Sequence, residues 1–289
     1  MSERQRISSL LRRYDIRLSK RLGQNFLVDT EVLSRIVQAT QVGRDCDVVE
    51  VGAGVGNLSA ALARTGARVT ALELDKRFAP IHVRAEADLR GPGTLRFVYE
   101  DALDFDYATA AEAARAAGRY FVIVGNIPYQ ITSPLVMKVL EDGLPLASMT
   151  LMMQREVSER LAAKPGSRRN GAITIKAQYF ADVNPLFDVG RTAFLPPPEV
   201  TSQVVRFVPH PPALDEARRP AFFALVAAAF MQRRKMMANA VSARGIASRE
   251  KVAAALEAIG KPASARAEEL SLSDFLALYA ELSEKGCAQ

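Results

Sequence analysis

The hydrophobic residues of this chain fall into short apolar runs that alternate with amphipathic stretches. Seven runs have the length and the β-branched content of strands, at 47–51, 68–72, 95–99, 120–125, 149–153, 173–179 and 203–207. Helical spacing lies between several of them, and such alternation predicts an α/β fold with a mostly parallel sheet. Beyond the Pro-rich stretch 208–212 only helical spacing remains, including an apolar helix at 221–231. We therefore predict an α/β domain over 1–209 and a smaller all-α domain over 210–289.

A glycine-rich turn joins the first predicted strand to a helix predicted at 57–64. The strand runs directly into Gly52, Gly54 and Gly56. Glycine permits a positive φ and lets a ligand approach the backbone with no Cβ in the way. A dinucleotide fingerprint would place its third glycine where this chain has Asn57, and no phosphate-binding G-x-x-x-x-G-K-[ST] motif occurs. The turn therefore favours a ligand without a pyrophosphate.

Acidic residues follow the next two predicted strands. Glu73 ends the strand 68–72, about 20 residues beyond the first glycine, where a carboxylate can meet ribose hydroxyls. Asp101 follows the strand 95–99 and could face the adenine amine of a cofactor. Either carboxylate alone is more often a turn residue or a helix N-cap. Because parallel strands present their carboxyl ends at one edge of a sheet, the set together predicts a binding site there.

The fourth strand end carries the chemistry of an amine-binding site. The run 120–125 leads into Asn126, Ile127, Pro128 and Tyr129. The Asn126 carboxamide oxygen and a main-chain carbonyl beside Pro128 would accept hydrogen bonds from an exocyclic amine, and the Tyr129 ring would stack on an extruded base. This pattern indicates methyl transfer to a base nitrogen, although Asn and Pro are also ordinary residues of a strand-ending turn.

The successive motifs resemble those of the ribosomal RNA adenine N6,N6-dimethyltransferase family. The resemblance rests on segments 23–27, 50–56, 72–75, 100–102 and 126–129, and it extends to 194–200 with Ser202 and to 232–235. It implies a Rossmann-like class I methyltransferase sheet of seven strands, the last antiparallel, with S-adenosylmethionine as methyl donor and no metal. Gln130 departs from the family pattern, which more often has Asn after the tyrosine.

The resemblance implies specific roles for the residues that would bind the cofactor. Asn25 and Leu27 would close over S-adenosylmethionine, and Gly52 would pack its backbone against the methionine end. Glu73 would bind the ribose hydroxyls and Asp101 the cofactor adenine. Without the resemblance, the segment 24–27 is better interpreted as a helix entrance that packs into the core.

The catalytic residues implied by the resemblance are Asn126, Pro128, Tyr129 and Phe194. Asn126 would stand between the cofactor and the target amine, while Tyr129 and Phe194 would sandwich the base. The segment 194–198 is alternatively a rigid connector or a polyproline ligand.

Within the family, Gly23 favours the bacterial small-subunit branch, which dimethylates two adjacent adenosines in a hairpin loop near the 3′ end of that RNA. The large-subunit dimethylases of the macrolide-resistance type are the alternative. A non-catalytic ribosome-assembly factor with the same fold is a hypothesis of another class. DNA methylation is less favoured, because no helix-turn-helix that would read a major groove is recognisable.

Charge and composition agree with an RNA-binding enzyme. The 289 residues are 49% hydrophobic and carry a net charge of +6. The arm 1–24 holds seven basic and two acidic side chains, which suits phosphate contacts or a solubilising tail. The cluster 232–235 is either an RNA-backbone contact or a helix-end charge group.

The predicted partner is small-subunit ribosomal RNA in an immature subunit.

The longest apolar run, 221–231, has 11 residues and is too short to span a bilayer. Cys46 and Cys287 have no metal or disulfide-framework spacing. We therefore expect a cytoplasmic protein with no membrane contact, and a monomer is the default expectation for its oligomeric state.

Overall fold

A computed structural model describes residues 1–19, 23–232 and 234–284, and the chain divides into two compact units. The first unit comprises Met1–Ser158 and Asp182–Pro209, and the second comprises Glu159–Ala181 and the chain from His210 onward. The segment Glu159–Ala181, which the sequence analysis assigned to the α/β domain, thus belongs to the second unit.

The sheet of the first unit has the strand order β4-β3-β2-β5-β6-β9-β7, and β1 and β8 form a separate two-stranded pair. The strands are β1 Phe26–Leu27, β2 Cys46–Val51, β3 Arg68–Leu72, β4 Thr94–Val98, β5 Tyr120–Asn126, β6 Leu146–Gln154, β7 Ala181–Val189, β8 Phe194–Leu195 and β9 Ser202–Pro209. Strands β4, β3, β2, β5 and β6 are parallel, and β9 is antiparallel to β6. The predictions of a mostly parallel sheet of seven strands and of an antiparallel last strand are confirmed.

Helices precede or connect these strands along the chain. They are α1 Glu3–Arg13, α2 Thr30–Thr40, α3 Asn57–Arg64, α4 Ala79–Ala87, α5 Tyr107–Ala116, α6 Thr132–Glu141 and α7 Arg155–Leu161. The helix predicted at 57–64 coincides with α3. Strand β2 pairs with β3 on one side and with β5 on the other, so the strand order reverses there. Ligands of open α/β sheets bind at such a reversal, outside the carboxyl ends of the strands.

One predicted strand was wrong. The run 173–179 lies in helix α8, Ala172–Phe180. Its β-branched residues favour a strand, but a short apolar run does not distinguish a strand from a buried helix. The Gly171 amide donates to the Thr174 hydroxyl (3.0 Å) at the start of this helix. The seventh strand is instead β7, which lies at the edge of the sheet, where a strand can accommodate a proline such as Pro185.

The second unit consists of helices. After α8 these are α9 Arg219–Phe230, α10 Met237–Ser242, α11 Arg249–Ala258 and α12 Leu272–Glu284. Tyr179 and Phe180 of α8 pack against Phe222 and Phe223 of α9 with ring centroids 5.0, 5.4 and 5.8 Å apart. These contacts explain why α8 belongs to this unit. The apolar helix predicted at 221–231 is confirmed as α9, and within the three described ranges no helix is long and apolar enough to cross a bilayer.

The N-terminal arm is a packed helix over much of its length. Ser2 and Gln5 form a reciprocal capping box at the start of α1. Ile7, Leu11 and Ile16 are buried in a hydrophobic cluster of the first unit. A solubilising tail is therefore the wrong description of this helix. Lys20 and Arg21 of the predicted basic arm, and Arg233 of the predicted cluster 232–235, lie outside the described residues.

Candidate active site

A cavity of about 240 Å³ opens at the carboxyl ends of β2, β3, β4 and β5. Its lining residues all belong to the first unit. The structure brings eight of the predicted site residues to this cavity, namely Asn25, Leu27, Gly52, Glu73, Asp101, Asn126, Pro128 and Tyr129. The strand ends that the sequence predicted to share one edge of the sheet therefore do so.

The glycine turn after β2 forms one wall of the cavity. The amides of Gly52 and Ala53 both donate to the Leu72 carbonyl, at 3.0 and 2.9 Å, which ties the turn to the end of β3. Gly54 has φ +55°, and a Cβ at this position would lie 2.8 Å from a ring carbon of Phe26. The turn therefore needs glycine both for its backbone conformation and for the close approach of the segment that carries Phe26.

Glu73 is held by the backbone around it. One carboxylate oxygen accepts from the Gly54 amide (2.8 Å) and the other from the Asp75 amide (2.9 Å). The side chain is 8% exposed, and this burial raises the pKa of its carboxyl. Each oxygen keeps a further lone pair, so Glu73 can accept additional hydrogen bonds from a ligand in the cavity.

Glu50 is a second buried carboxyl at the cavity, and the sequence analysis did not assign it a role. It lies in β2 just before the glycine turn and is 1% exposed. Among the described residues, its Oε2 has no hydrogen-bond partner. Burial, with a smaller contribution from the charge of Glu73, raises the pKa of Glu50 to about 8. The sequence signal was an acidic residue between two valines, directly before the glycine turn.

Asp101 follows β4 and lines the cavity. Its Oδ1 accepts from the Leu103 amide at 2.9 Å. This bond fixes the carboxylate at the strand end, where the residue is half-buried and reaches the cavity.

The segment 23–27 closes one side of the cavity. Gln24 donates to Oδ2 of Asp75 (2.9 Å), and Asn57 donates to the Leu27 carbonyl (2.7 Å). The two-residue strand β1 at the end of the segment pairs with β8. The segment is therefore attached both to the end of β3 and to the start of α3, as well as to β8.

Asn126 ends β5 at the cavity with a defined amide orientation. Its Nδ2 donates to the Asn25 carbonyl at 3.0 Å. Because a carbonyl can only accept, the nitrogen must lie on that side and Oδ1 is left as an acceptor. The Pro128 carbonyl already accepts from the Ile131 amide (3.2 Å), whereas the Ile127 carbonyl accepts no hydrogen bond within the described part of the chain. Two acceptors are thus available next to each other.

Tyr129 is positioned through its hydroxyl. The hydroxyl lies 3.0 Å from Oγ of Ser202, which is 1% exposed at the start of β9. The ring is half-buried and lines the cavity beside Gln130. Ser202 belongs to the segment that resembles a family motif, and through this contact the segment positions Tyr129.

Phe194 is the predicted site residue that the structure does not bring to the cavity. It lies in β8, is 1% exposed, and packs in the hydrophobic core with Leu27 and Val204. The structure thus holds the Phe194 ring outside the lining of the cavity, where it supports β1 through the pairing with Leu27. That Phe194 sandwiches the base stays a prediction.

The fold and the site together define a class of protein. The first unit has the fold of a Rossmann-like class I methyltransferase. It has five parallel strands with an antiparallel neighbour, a glycine turn after β2, and carboxylates after β3 and β4. The dimethyladenosine transferase of Plasmodium falciparum superposes with a TM-score of 0.71 at 25% identity, over 89% of this chain and 97% of that one. The 23S rRNA methyltransferase ErmE superposes with a TM-score of 0.72 at 25% identity, over 89% and 99%.

Sequence comparison narrows the class to one family. The sequence model of the ribosomal RNA adenine dimethylases matches residues 16–284, and this chain belongs to that family. It is 38% identical over 280 residues to the ribosomal RNA small subunit methyltransferase A of Geobacillus thermodenitrificans (strain NG80-2), with 94% of each chain covered. It is 35% identical over 277 residues to the protein of that name from Bacillus cereus (strain B4264), again with 94% of each chain covered.

Proposed function

We propose that this protein dimethylates N6 of two adjacent adenosines in the 3′-terminal hairpin loop of small-subunit ribosomal RNA, with S-adenosylmethionine as methyl donor. The observation that carries the proposal is the orientation of Asn126, whose Oδ1 is left as an acceptor at the cavity. The names of the bacterial relatives, which share 35–38% identity, support the choice of the small subunit.

The chemistry of the cavity fits S-adenosylmethionine. This cofactor carries positive charge on its sulfonium and on its ammonium group, and its ribose carries hydroxyls. Glu50 offers a buried oxygen without a partner among the described residues, and Glu73 offers free lone pairs beside the glycine turn. When bound, the cofactor supplies a methyl group on an activated leaving group. The residues that would complete its binding site are Asn25, Leu27, Gly52 and Asp101.

The residues around Asn126 orient the target amine. The adenine amine is a poor nucleophile because its lone pair is delocalised into the ring. Asn126 Oδ1 and the Ile127 carbonyl beside Pro128 would each accept a hydrogen bond from one amine N–H, which turns the lone pair toward the methyl donor. Rate enhancement then comes from positioning and electrostatics.

No strong base is needed in this arrangement. The amine becomes acidic only as it gains the methyl group, so its proton can leave to water after the transition state. The nitrogen stays nucleophilic after one methylation, and a second transfer can follow in the same pocket. Tyr129, held through Ser202, would stack on the extruded base throughout.

Basic residues outside the cavity would contact the RNA backbone. Arg12, Arg13 and Arg17 are exposed on and after α1, and Arg234 and Lys235 are exposed in the second unit. Phosphate contacts of this kind position RNA without reading its sequence. We assign a share of RNA binding to the chain from His210 onward.

The protein would act as a cytoplasmic monomer on the immature small subunit. The residues that line the cavity come from one unit of a single chain, so no second copy is needed to complete it.

The large-subunit alternative is less favoured, because the ErmE structure shares 25% identity whereas the small-subunit relatives share 35–38%.

The test is mass spectrometry of digested RNA after incubation of the protein and S-adenosylmethionine with unmethylated small subunits, with large subunits in parallel. The expected product is N6,N6-dimethyladenosine in small-subunit RNA only. Dimethyladenosine in large-subunit RNA alone would replace this proposal with the resistance-type activity. Cofactor binding without any product would favour the non-catalytic assembly factor.

A further inference from the structure

His82 is a buried histidine of α4 that lies next to the cofactor cavity without lining it. It is 1% exposed. Its Nε2 lies 2.8 Å from the Gly54 carbonyl oxygen, and its Nδ1 lies 2.9 Å from the Tyr99 hydroxyl. Because a carbonyl can only accept, Nε2 carries the proton and Nδ1 accepts from Tyr99. The contacts therefore fix a single neutral tautomer.

Aromatic packing holds the imidazole ring in this orientation. Phe97 of β4 stacks on the ring with centroids 3.8 Å apart and planes 6° apart. Phe78 covers it from another side, with centroids 6.1 Å apart. A ring packed in this way cannot rotate to present its nitrogens elsewhere without opening the core.

The ionisable groups near His82 are Tyr99 after β4, Glu86 on α4, and Glu73 across Gly54. Burial lowers the pKa of His82 to about 4, and the hydrogen bond to the Gly54 carbonyl opposes this effect without overcoming it. His82 is therefore neutral over the range in which the protein would work.

Gly54 is held from both sides by this arrangement. Its amide donates to Glu73 (2.8 Å), and its carbonyl accepts from His82 (2.8 Å). The hydrogen-bond series Tyr99–His82–Gly54–Glu73 thus joins α4 and the ends of β3 and β4 to the glycine turn. The carboxylate at one end of the series is the group that the proposed function assigns to the ribose hydroxyls.

We propose that His82 is a positioning residue for the cofactor, which it never touches. It holds the Gly54 carbonyl and so keeps the glycine turn and Glu73 in the arrangement that the cofactor binds. The proposal rests on the proposed function, because it takes S-adenosylmethionine as the ligand. Loss of the Nε2 donor is expected to weaken cofactor binding more than it slows methyl transfer at saturating cofactor.

The test compares His82→Leu with His82→Gln. Leucine fills the space without a donor, whereas the glutamine Nε2 can still donate to Gly54. Titration calorimetry with S-adenosylhomocysteine should give a Kd about tenfold higher for His82→Leu and a Kd within about threefold of wild type for His82→Gln. His210→Gln, in the other unit, is the matched control and should bind as wild type does.

A second measurement is made on the wild-type protein, with one variant as a check. The chain has two histidines, so long-range ¹H–¹⁵N spectra of untagged protein contain only two imidazoles. The His82 signal is expected in the Nε2–H form, and it should shift when S-adenosylhomocysteine is added. Tyr99→Phe should change the Nδ1 shift, because the hydroxyl that donates to it is removed.

The outcomes separate this inference from the proposed function. Wild-type protein that fails to bind S-adenosylhomocysteine would overturn the cofactor assignment, and this inference with it. If wild-type protein binds S-adenosylhomocysteine and a folded His82→Leu variant binds it with the same Kd, the role of His82 alone would be overturned. An Nδ1–H tautomer, or a His82 signal unmoved by the ligand, would do the same.

Discussion

At the scale of single residues, the site depends on which end of a side chain is already occupied. The Asn126 nitrogen is used by the Asn25 carbonyl, so the oxygen is the end that remains for a substrate. Glu73 has one bond to each oxygen and can accept more, whereas Glu50 has an oxygen with no partner in the described structure. At the lining of a cavity, a ligand can fill hydrogen-bonding capacity of this kind.

Replacement of Asn126 by Ala removes one of the two acceptors for the amine. We expect kcat to fall by at least about 100-fold, as when one positioned hydrogen-bonding group is removed from other active sites. Single-turnover methylation of small subunits measures the effect. The control is Asn184→Ala, since Asn184 is exposed in β7. Near-normal turnover of Asn126→Ala would contradict the orientation mechanism.

The two parts of Tyr129 can be separated by substitution. Tyr129→Ala removes the ring and should weaken productive RNA binding by about 1–3 kcal/mol, the usual value of one base stacked on an aromatic ring. Tyr129→Phe and Ser202→Ala keep the ring and break the 3.0 Å contact, so they should cost less. Equal losses in all three variants, measured as kcat/KM for RNA, would show that the hydroxyl matters more than stacking.

Glu50 should make cofactor binding depend on pH. Its pKa is raised from 4.5 to about 8, so its contribution to stability is present below pH 4.5 and is lost as pH rises through about 8. A cationic ligand reverses this preference and favours the carboxylate. Binding of S-adenosylmethionine at about pH 7 should therefore release about one proton, and affinity should rise up to about tenfold per pH unit between about pH 6 and about pH 7.5.

Calorimetry in buffers with different ionisation enthalpies measures that proton. Glu50→Gln keeps the shape of the protonated side chain and should abolish the release, with affinity that no longer rises with pH. Proton release that persists unchanged in Glu50→Gln would assign the effect to another group, such as Glu73.

At the scale of elements, the cavity exists because the glycine turn and the segment 23–27 approach each other closely. A Cβ on Gly54 would overlap the Phe26 ring at 2.8 Å, so Gly54→Ala should push the segment away from the cavity. We expect a decrease of about 1–3 kcal/mol in the free energy of unfolding and weaker cofactor binding. Thermal and denaturant unfolding, with calorimetric titration, give both quantities.

Gly118→Ala is the matched control for this prediction. Gly118 has φ +66°, close to that of Gly54, but a Cβ there would have nothing within 4 Å. It therefore measures the cost of backbone strain alone. If Gly118→Ala loses as much stability as Gly54→Ala and both bind cofactor normally, the overlap with Phe26 has no functional importance.

The strand ends were predictable from the sequence, but the contacts between them were not. Glycines, Glu73, Asp101 and Asn126 each follow an apolar run, and a parallel sheet brings such positions to one edge. The run 173–179 misled because its β-branched residues serve a helix packed on α9. Two buried residues, Glu50 and His82, went unassigned because their importance comes from burial and from partners distant in sequence.

At the scale of the whole molecule, the proposed function makes surface charge important for how an RNA would be held. Within α1, Arg4 donates to a main-chain carbonyl at 2.9 Å, and Arg6 pairs with Glu3. Arg12 and Arg13 are instead exposed at the end of the helix. Arg4 and Arg6 are therefore engaged within the protein, and fewer arginines of the arm are available to RNA phosphates than its net charge suggests.

The exposed pair Arg12 and Arg13 should determine the salt dependence of RNA binding. When both are replaced by Ala, the slope of log Kd against log salt should fall by about 1 for each phosphate that the two arginines neutralise. Fluorescence anisotropy with a small-subunit hairpin across a salt series measures the slope. Arg115→Ala, which removes an exposed arginine paired with Glu112 on α5, is the control. An unchanged slope would exclude Arg12 and Arg13 from the RNA interface.

The two-residue pairing of β1 with β8 has a consequence for how often the enzyme can reload. Under the proposed function each adenosine takes two methyl groups, so the spent donor must leave and a fresh one must enter between the two transfers. Phe26 and Leu27 line the cavity, and so short a ladder is only marginally stable by itself. A longer ribbon would hold this side of the cavity more firmly, and we expect that it would slow the exchange of the donor between the two transfers.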